Sequence, residues 1–213
     1  MLASLKKKIK NKIKKIWRYP LMQKMKKQGA DCNVRILASN CIGGLLYHDI
    51  GKEFTSPTIN LTIGGEDFIK LCNNPEYYLT CEPVFEKTSP QGYPVANLNG
   101  ILIYGVHYKD FDDLKNQWMR RSRRFLEHSE QEILVMTCDS FLTSNELVEK
   151  FHNLPYRKVC YTKNPVCPYE EFVYVPGYES SDTIGDLTRY ADYKGTRIFE
   201  KYFDCIKWLK NEK

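Results

Sequence analysis

With 213 residues, 42% of them hydrophobic and 27% charged, the chain is long enough to bury one sizeable core and too apolar for a disordered one. Its net charge of +6 hides an asymmetry: ten Lys and one Arg fall in Met1–Lys27, which contains no acid, and the remaining 21 basic residues face 26 acids. The body after the head is therefore mildly acidic, which argues against nucleic acid as a partner, since phosphate backbones are held by basic folded faces.

In the head, Leu2, Leu5, Ile9, Ile13, Ile16 and Trp17 recur at helical spacing among lysines and Arg18, and Pro20 is expected to interrupt the helix. No apolar run approaches the roughly 20 residues needed to span a bilayer. Residues 1–28 are read as a basic amphipathic arm whose partner is an anionic membrane surface, through residues 1–27, with each cation near such a surface worth about 1 kcal/mol. The alternative is an arm packed on the body or on a second copy.

Residues 29–213 are read as one α/β domain. Val34–Ser39 is a β-branched strand and Ile42–Ile50 a helix closed by Gly51. Thr58–Ile63 alternates like a strand, and Glu66–Asn73 is a short helix with Phe68, Leu71 and Cys72 on one face. Val84–Lys87 is a short strand, Gln91–Pro94 a turn, and Ile101–Val106 a strand with a near-continuous apolar run. Asp110 caps a long helix whose stripe is Phe111, Leu114, Trp118 and Phe125. Glu132–Thr137 is a buried strand, and Ser144–His152 a helix capped at Thr143 or Ser144. Lys158–Thr162 and Phe172–Val175 are further strands, Ser181–Asp192 is ambiguous, and Arg197–Lys210 is a terminal helix with Ile198, Tyr202, Cys205, Ile206 and Leu209 inward. The alternation predicts a three-layer, mostly parallel sheet with helices on both faces, Rossmann-like, with Val34–Ser39 as an interior strand.

The eight cysteines show no C-x-x-C pair and no zinc spacing, and several sit in apolar runs, which fits free thiols in reducing cytoplasm. No H-x-x-x-H, D-x-D, G-x-S-x-G, G-x-G-x-x-G or P-loop pattern occurs, so the sequence names no metal and no cofactor.

Ser39-Asn40-Cys41-Ile42-Gly43-Gly44, Tyr47-x-Asp49-x-Gly51, Ser56-Pro57-Thr58 and Asp67-Phe68 together resemble a bacterial family of unknown function whose members carry the label of exopolysaccharide biosynthesis proteins. His107-Tyr108 and Trp118-x-x-Arg121-x-x-Arg124 add to the match. The resemblance spans Val34 to Lys210 and leaves out the head. It implies a place near surface-polysaccharide assembly and supplies no catalytic residues.

The residues themselves point to the strand ends, where α/β folds gather their chemistry. Cys41, at a helix start whose dipole favours the thiolate, is a candidate nucleophile, with His107 as its base. Asp139, after the strand ending at Cys138, completes the catalytic set. Ser39, Asn40, Gly43 and Gly44 are read as ligand-binding, the glycines allowing close backbone approach. Arg121 and Arg124, three apart on one helical face, suit an anionic group at the rim. The bland alternatives are a packed Cys41, an Asp139 that starts a turn and a solvated arginine face. His48 reads as a surface or capping residue and Trp118 as core. The expected activity is an acyl or other group transferase at the cytoplasmic membrane face, using a nucleotide-linked or acyl donor and a glycan acceptor. The other open class is a non-catalytic binding or scaffolding protein of the same pathway.

Overall fold

The computed structural model describes residues 16–212. The apolar positions Leu2, Leu5, Ile9 and Ile13 of the head lie outside it. Among the described residues, eight strands form two four-stranded sheets. The first is parallel throughout, in the order β1 (Val34–Ala38), β6 (Glu132–Cys138), β7 (Arg157–Thr162), β8 (Phe172–Tyr174). The second is antiparallel, in the order β2 (Thr62–Ile63), β5 (Ile101–Tyr104), β4 (Pro94–Leu98), β3 (Val84–Thr88). The mixed α/β class thus matches expectation, but only half of the strands are parallel. The parallel ladder follows chain order without a reversal, so it lacks the switch point of a doubly wound sheet.

Short apolar runs explain the misplaced strand. Ile101–Tyr104 is as buried as a parallel strand along one face, yet it pairs antiparallel with β4 through Leu98↔Ile101. The turn between them is Asn99-Gly100, both at positive φ, 48° and 96°. That dipeptide is a strong hairpin signal, because its left-handed pair matches the strand twist. The Thr58–Ile63 run shortens to two strand residues, with Asn60 at φ 66° turning the chain just before them.

β1 is an edge strand of its ladder rather than an interior one. Its free edge is nevertheless closed by side chains. The Ile36 amide donates to the Tyr47 hydroxyl at 2.9 Å, which donates in turn to the Val34 carbonyl at 3.1 Å. The Ala38 amide donates to Thr58 Oγ1 at 3.0 Å, and the Ile63 amide of β2 reaches the Ser39 carbonyl at 3.0 Å. All five residues of β1 are buried, so each of these backbone groups would otherwise lack a partner.

Both faces of the parallel sheet are covered. Ile36, Leu134, Met136, Val159 and Tyr161 pack with α2 (Ile42–Ile50), α7 (Ile198–Lys201), α8 (Cys205–Lys210) and Met25 of the first helix, α1, over residues 16–28. Leu37, Val135, Cys160 and Phe172 pack with the second sheet and with α3 (Gly65–Asn73), α4 (Pro75–Thr80), α5 (Phe111–Glu127) and α6 (Asn145–His152). The Asp110 and Ser144 side chains cap α5 and α6, accepting from the Asp113 and Leu147 amides. The expected terminal helix is broken between α7 and α8, where Asp204 accepts from the Ile206 and Lys207 amides and starts a new helix.

The head behaves differently from its sequence reading. Residues 16–28 are helical straight through Pro20. Arg18, which falls among the lysines of the arm, is 1% exposed. Its guanidinium donates to Asp49, to both oxygens of Glu200 and to the Gly195 carbonyl. Burial alone would lower its pKa, but Glu200 and Asp49 more than offset that and hold it above the ordinary value. Asp49, itself fully buried, also accepts from Arg197 Nε at 3.3 Å and pairs with His48 Nδ1 at 2.9 Å. His48 is mostly exposed, in keeping with a surface residue.

Candidate functional site

The parallel register brings the residues just after β1, β6 and β7 to one end of the sheet. Ser39 Oγ lies 2.9 Å from Thr137 Oγ1, buried between β1 and β6. Asn40 Oδ1 accepts from the Ile42 amide at 3.0 Å, an Asx turn that starts α2, and its Nδ2 lies 3.7 Å from Cys138 Sγ. Asp139 follows directly. Its Oδ2 accepts from Thr162 Oγ1 at 3.0 Å and from the Lys163 amide at 2.7 Å, the last residue of β7 and the one after it. Its Oδ1 is closed to solvent and has no hydrogen-bond partner. A carboxylate oxygen in that state calls for a ligand or a catalytic explanation, because buried acceptors are almost always paired. The start of α3 abuts this end as well: a Cβ on Gly65 would collide with the Phe141 carbonyl.

Thr162 and Lys163 were not singled out from the sequence. The rule that selected Asp139 selects them too, since they close the next parallel strand.

Cys41 is the N-cap of α2, as the sequence implied, yet its thiol is not activated. Burial pushes it up to about 11, with Asp186 acting in the same direction. Desolvation outweighs the helix dipole, whose effect on a charge is commonly under 1 kcal/mol. His107 is exposed. Its amide donates to the Asn60 carbonyl at 3.2 Å, and its ring makes no hydrogen bond to Cys41 or Asp139. The nucleophile–base pair is therefore not assembled in this structure.

The two glycines have a packing role. A Cβ on Gly43 would meet the Ala38 side chain at 2.9 Å, and one on Gly44 would meet Ile59 at the same distance. They let α2 lie close on β1 and on the chain leading to β2.

The arginine pair separates. Arg121 is buried, donating to the Tyr108 hydroxyl at 2.7 Å and to the Ile59 carbonyl at 3.1 Å. Burial lowers its guanidinium and raises the Tyr108 phenol from their ordinary values. Arg124 pairs with Glu53, just past α2, at 2.7 Å. Its neighbour Phe125 offers a carbonyl to Arg35 near the start of β1. Arg124 therefore lies toward the beginning of the strands, away from Asp139, because α5 leads back to the start of β6. Trp118 is fully buried core.

All eight cysteines are free. Among the described residues no cluster of three or more His, Cys, Asp or Glu gathers as a metal site, and no helix is long and apolar enough to cross a membrane.

A protein from Haemophilus influenzae (strain Rd), described as an uncharacterized protein, is 26% identical over 206 residues, covering 96% of this chain and 97% of its own length. A family model described as a domain of unknown function, DUF1919, matches residues 11–210. The match reaches into the basic head, beyond the Val34 start of the resemblance, in keeping with the packing of α1 against the core. The chain belongs to the DUF1919 family.

Proposed function

We propose that this protein is a group transferase of surface-polysaccharide assembly, working at the cytoplasmic face of the membrane, with Asp139 as the proton acceptor. The observation that carries the reading is the Asp139 carboxylate, with one oxygen anchored by Thr162 and Lys163 and the other buried and unpartnered. A glycan hydroxyl satisfies such an oxygen once the strand-end turns move to admit it, since the oxygen is closed to solvent in this structure. In the step proposed, the acceptor hydroxyl gives its proton to Asp139 Oδ1 as its oxygen bonds to the donor carbon. The donor's leaving group departs with the electron pair of the broken bond. Anchoring of Oδ2 fixes the carboxylate for this role at no cost during reaction. The nucleotide-linked or acyl nature of the donor, and the membrane location, come from the resemblance and from the basic head.

A second reading, a non-catalytic binding or scaffolding protein of the same pathway, is favoured by the burial of Cys41, which raises its thiol rather than activating it. Mass spectrometry of the surface polysaccharide from cells lacking the gene separates the two. The transferase reading expects a repeat unit missing one sugar or acyl substituent. Polymer of unchanged repeat mass, made in smaller amount, contradicts it and favours the scaffold.

A further inference from the structure

We propose that the outer face of α1 and the 193–196 segment form a docking surface for an anionic phospholipid bilayer, which the aromatic side chains enter as wedges. The proposal rests on the membrane location just given and assigns the part of the folded body that meets the lipid.

Arg18 and Met25 turn one side of α1 into the body. Ile16, Trp17, Pro20 and Leu21 follow helical spacing on another side and, with Tyr193 and Lys194, line an apolar groove of about 730 Å³. Ile16 is 69% exposed, Trp17 51% and Tyr193 68%. The Trp17 and Tyr193 rings meet edge to face with centroids 6.3 Å apart, so the helix and the loop present one aromatic unit. Leaving such groups in water is unfavourable, and Trp and Tyr are the residues that settle at the headgroup level of a bilayer.

Charge identifies the occupant. A second cavity, of about 620 Å³, adjoins the groove and shares Leu21 and Thr196 with it. Lys24, Lys201, Lys207 and Lys210 line it beside Glu200, Asp204 and Glu212; Glu200 is taken up by Arg18 and Lys210 pairs with Asp31 and Glu212, while neither Lys24 nor Lys201 forms an ion pair with a described carboxylate. Residues 1–27, which take in all of α1 but its last residue, carry 11 cations and no acid. Apolar wedges beside Lys24 and Lys201, neither held in an ion pair, match a surface of acyl chains under lipid phosphates.

The test uses the full-length protein with phosphatidylcholine vesicles, alone or containing phosphatidylglycerol, and reads tryptophan emission and co-sedimentation. Trp118 is fully buried and Trp208 9% exposed, so Trp17 is the tryptophan open to report contact. The proposal expects a blue shift with phosphatidylglycerol vesicles, quenching by brominated acyl chains, and about tenfold weaker partitioning of a Trp17→Ala/Tyr193→Ala variant. That variant removes exposed side chains, and its melting curve checks that the fold is kept. If the wild type ignores phosphatidylglycerol vesicles, the membrane location itself falls. If it binds them but the double variant binds equally, the contact belongs to the basic segment alone and this face has no part in it. A double variant that dissociates a wild-type dimer in the absence of lipid shows a second copy on the groove. Wild-type emission that shifts to the red on deletion of residues 1–15 shows that segment lying there. Either result overturns the proposal.

Discussion

Replacing Arg18 by Ala tests whether the basic head is part of the fold. The side chain is 1% exposed and reaches two carboxylates and one carbonyl. Removing one partner of a buried ion pair costs about 3–5 kcal/mol, mostly because the other charge is left unpaired. Two contacts soften the loss here. Asp49 keeps Arg197 at 3.3 Å, and Glu200 keeps the Arg197 amide at 2.8 Å. The expected cost is therefore near the lower bound, about 3 kcal/mol, or about 6–12 °C in melting temperature for a chain of this size. Arg18→Lys should recover only part of it, since an ammonium cannot span both carboxylates as the guanidinium fork does. Urea unfolding followed by the emission of buried Trp118 and Trp208 measures the change. A loss below about 1 kcal/mol at unchanged slope would refute the reasoning and return Arg18 to the class of solvated surface pairs.

Other outcomes follow from single contacts. Tyr47→Phe should cost about 1–3 kcal/mol, since it leaves the buried Ile36 amide without an acceptor, and hydrogen exchange at that amide should quicken; protection equal to wild type would refute the edge closure. Cys41, with its thiol held near 11, should react with iodoacetamide at neutral pH far more slowly than a free thiol; labelling at the free-thiol rate would restore it as a nucleophile. From Cys41, Cys138 and Tyr47, stability should be unchanged up to about pH 8 and should fall as pH rises past about 9. Unfolded thiols ionise from 9.0 and phenols from 10.0, whereas the fold holds Cys41 near 11 and Cys138 and Tyr47 near 12, so in that window the unfolded chain binds fewer protons. Equal urea midpoints at about pH 8 and about pH 10.5 would contradict this linkage.

Local structure was legible where one chemical signal decides it. A β-branched run and a helix ending at Gly51, φ 70°, fall where the sequence puts them, as do the Asp110 and Ser144 caps. The partners of a strand were less legible, because four apolar residues such as Ile101–Tyr104 look alike in parallel and antiparallel pairs. The Asn99-Gly100 turn is the signal that separates the two. Arg18 stood out only as a single arginine among ten lysines; its role depends on Asp49 and Glu200, 31 and 182 residues away. At the site, the parallel register puts Ser39, Asn40 and Asp139 at one end of the sheet, where strand-end topology looks for them. Thiol reactivity was not legible, because it depends on burial that spacing does not show. Nor was the placing of Arg124, which depends on the direction in which α5 crosses the sheet.

The central claim is that Asp139, and not Cys41, is the reacting group. Its most direct measurement is the composition of surface polysaccharide in cells lacking the gene and complemented with Asp139→Asn or Cys41→Ser at matched protein levels. An amide can keep the bonds to Thr162 and Lys163 while losing the proton acceptor, so Asp139→Asn should fold and leave the substituent missing, and Cys41→Ser should restore it. Full restoration by Asp139→Asn, or failure of a folded Cys41→Ser, would contradict the account.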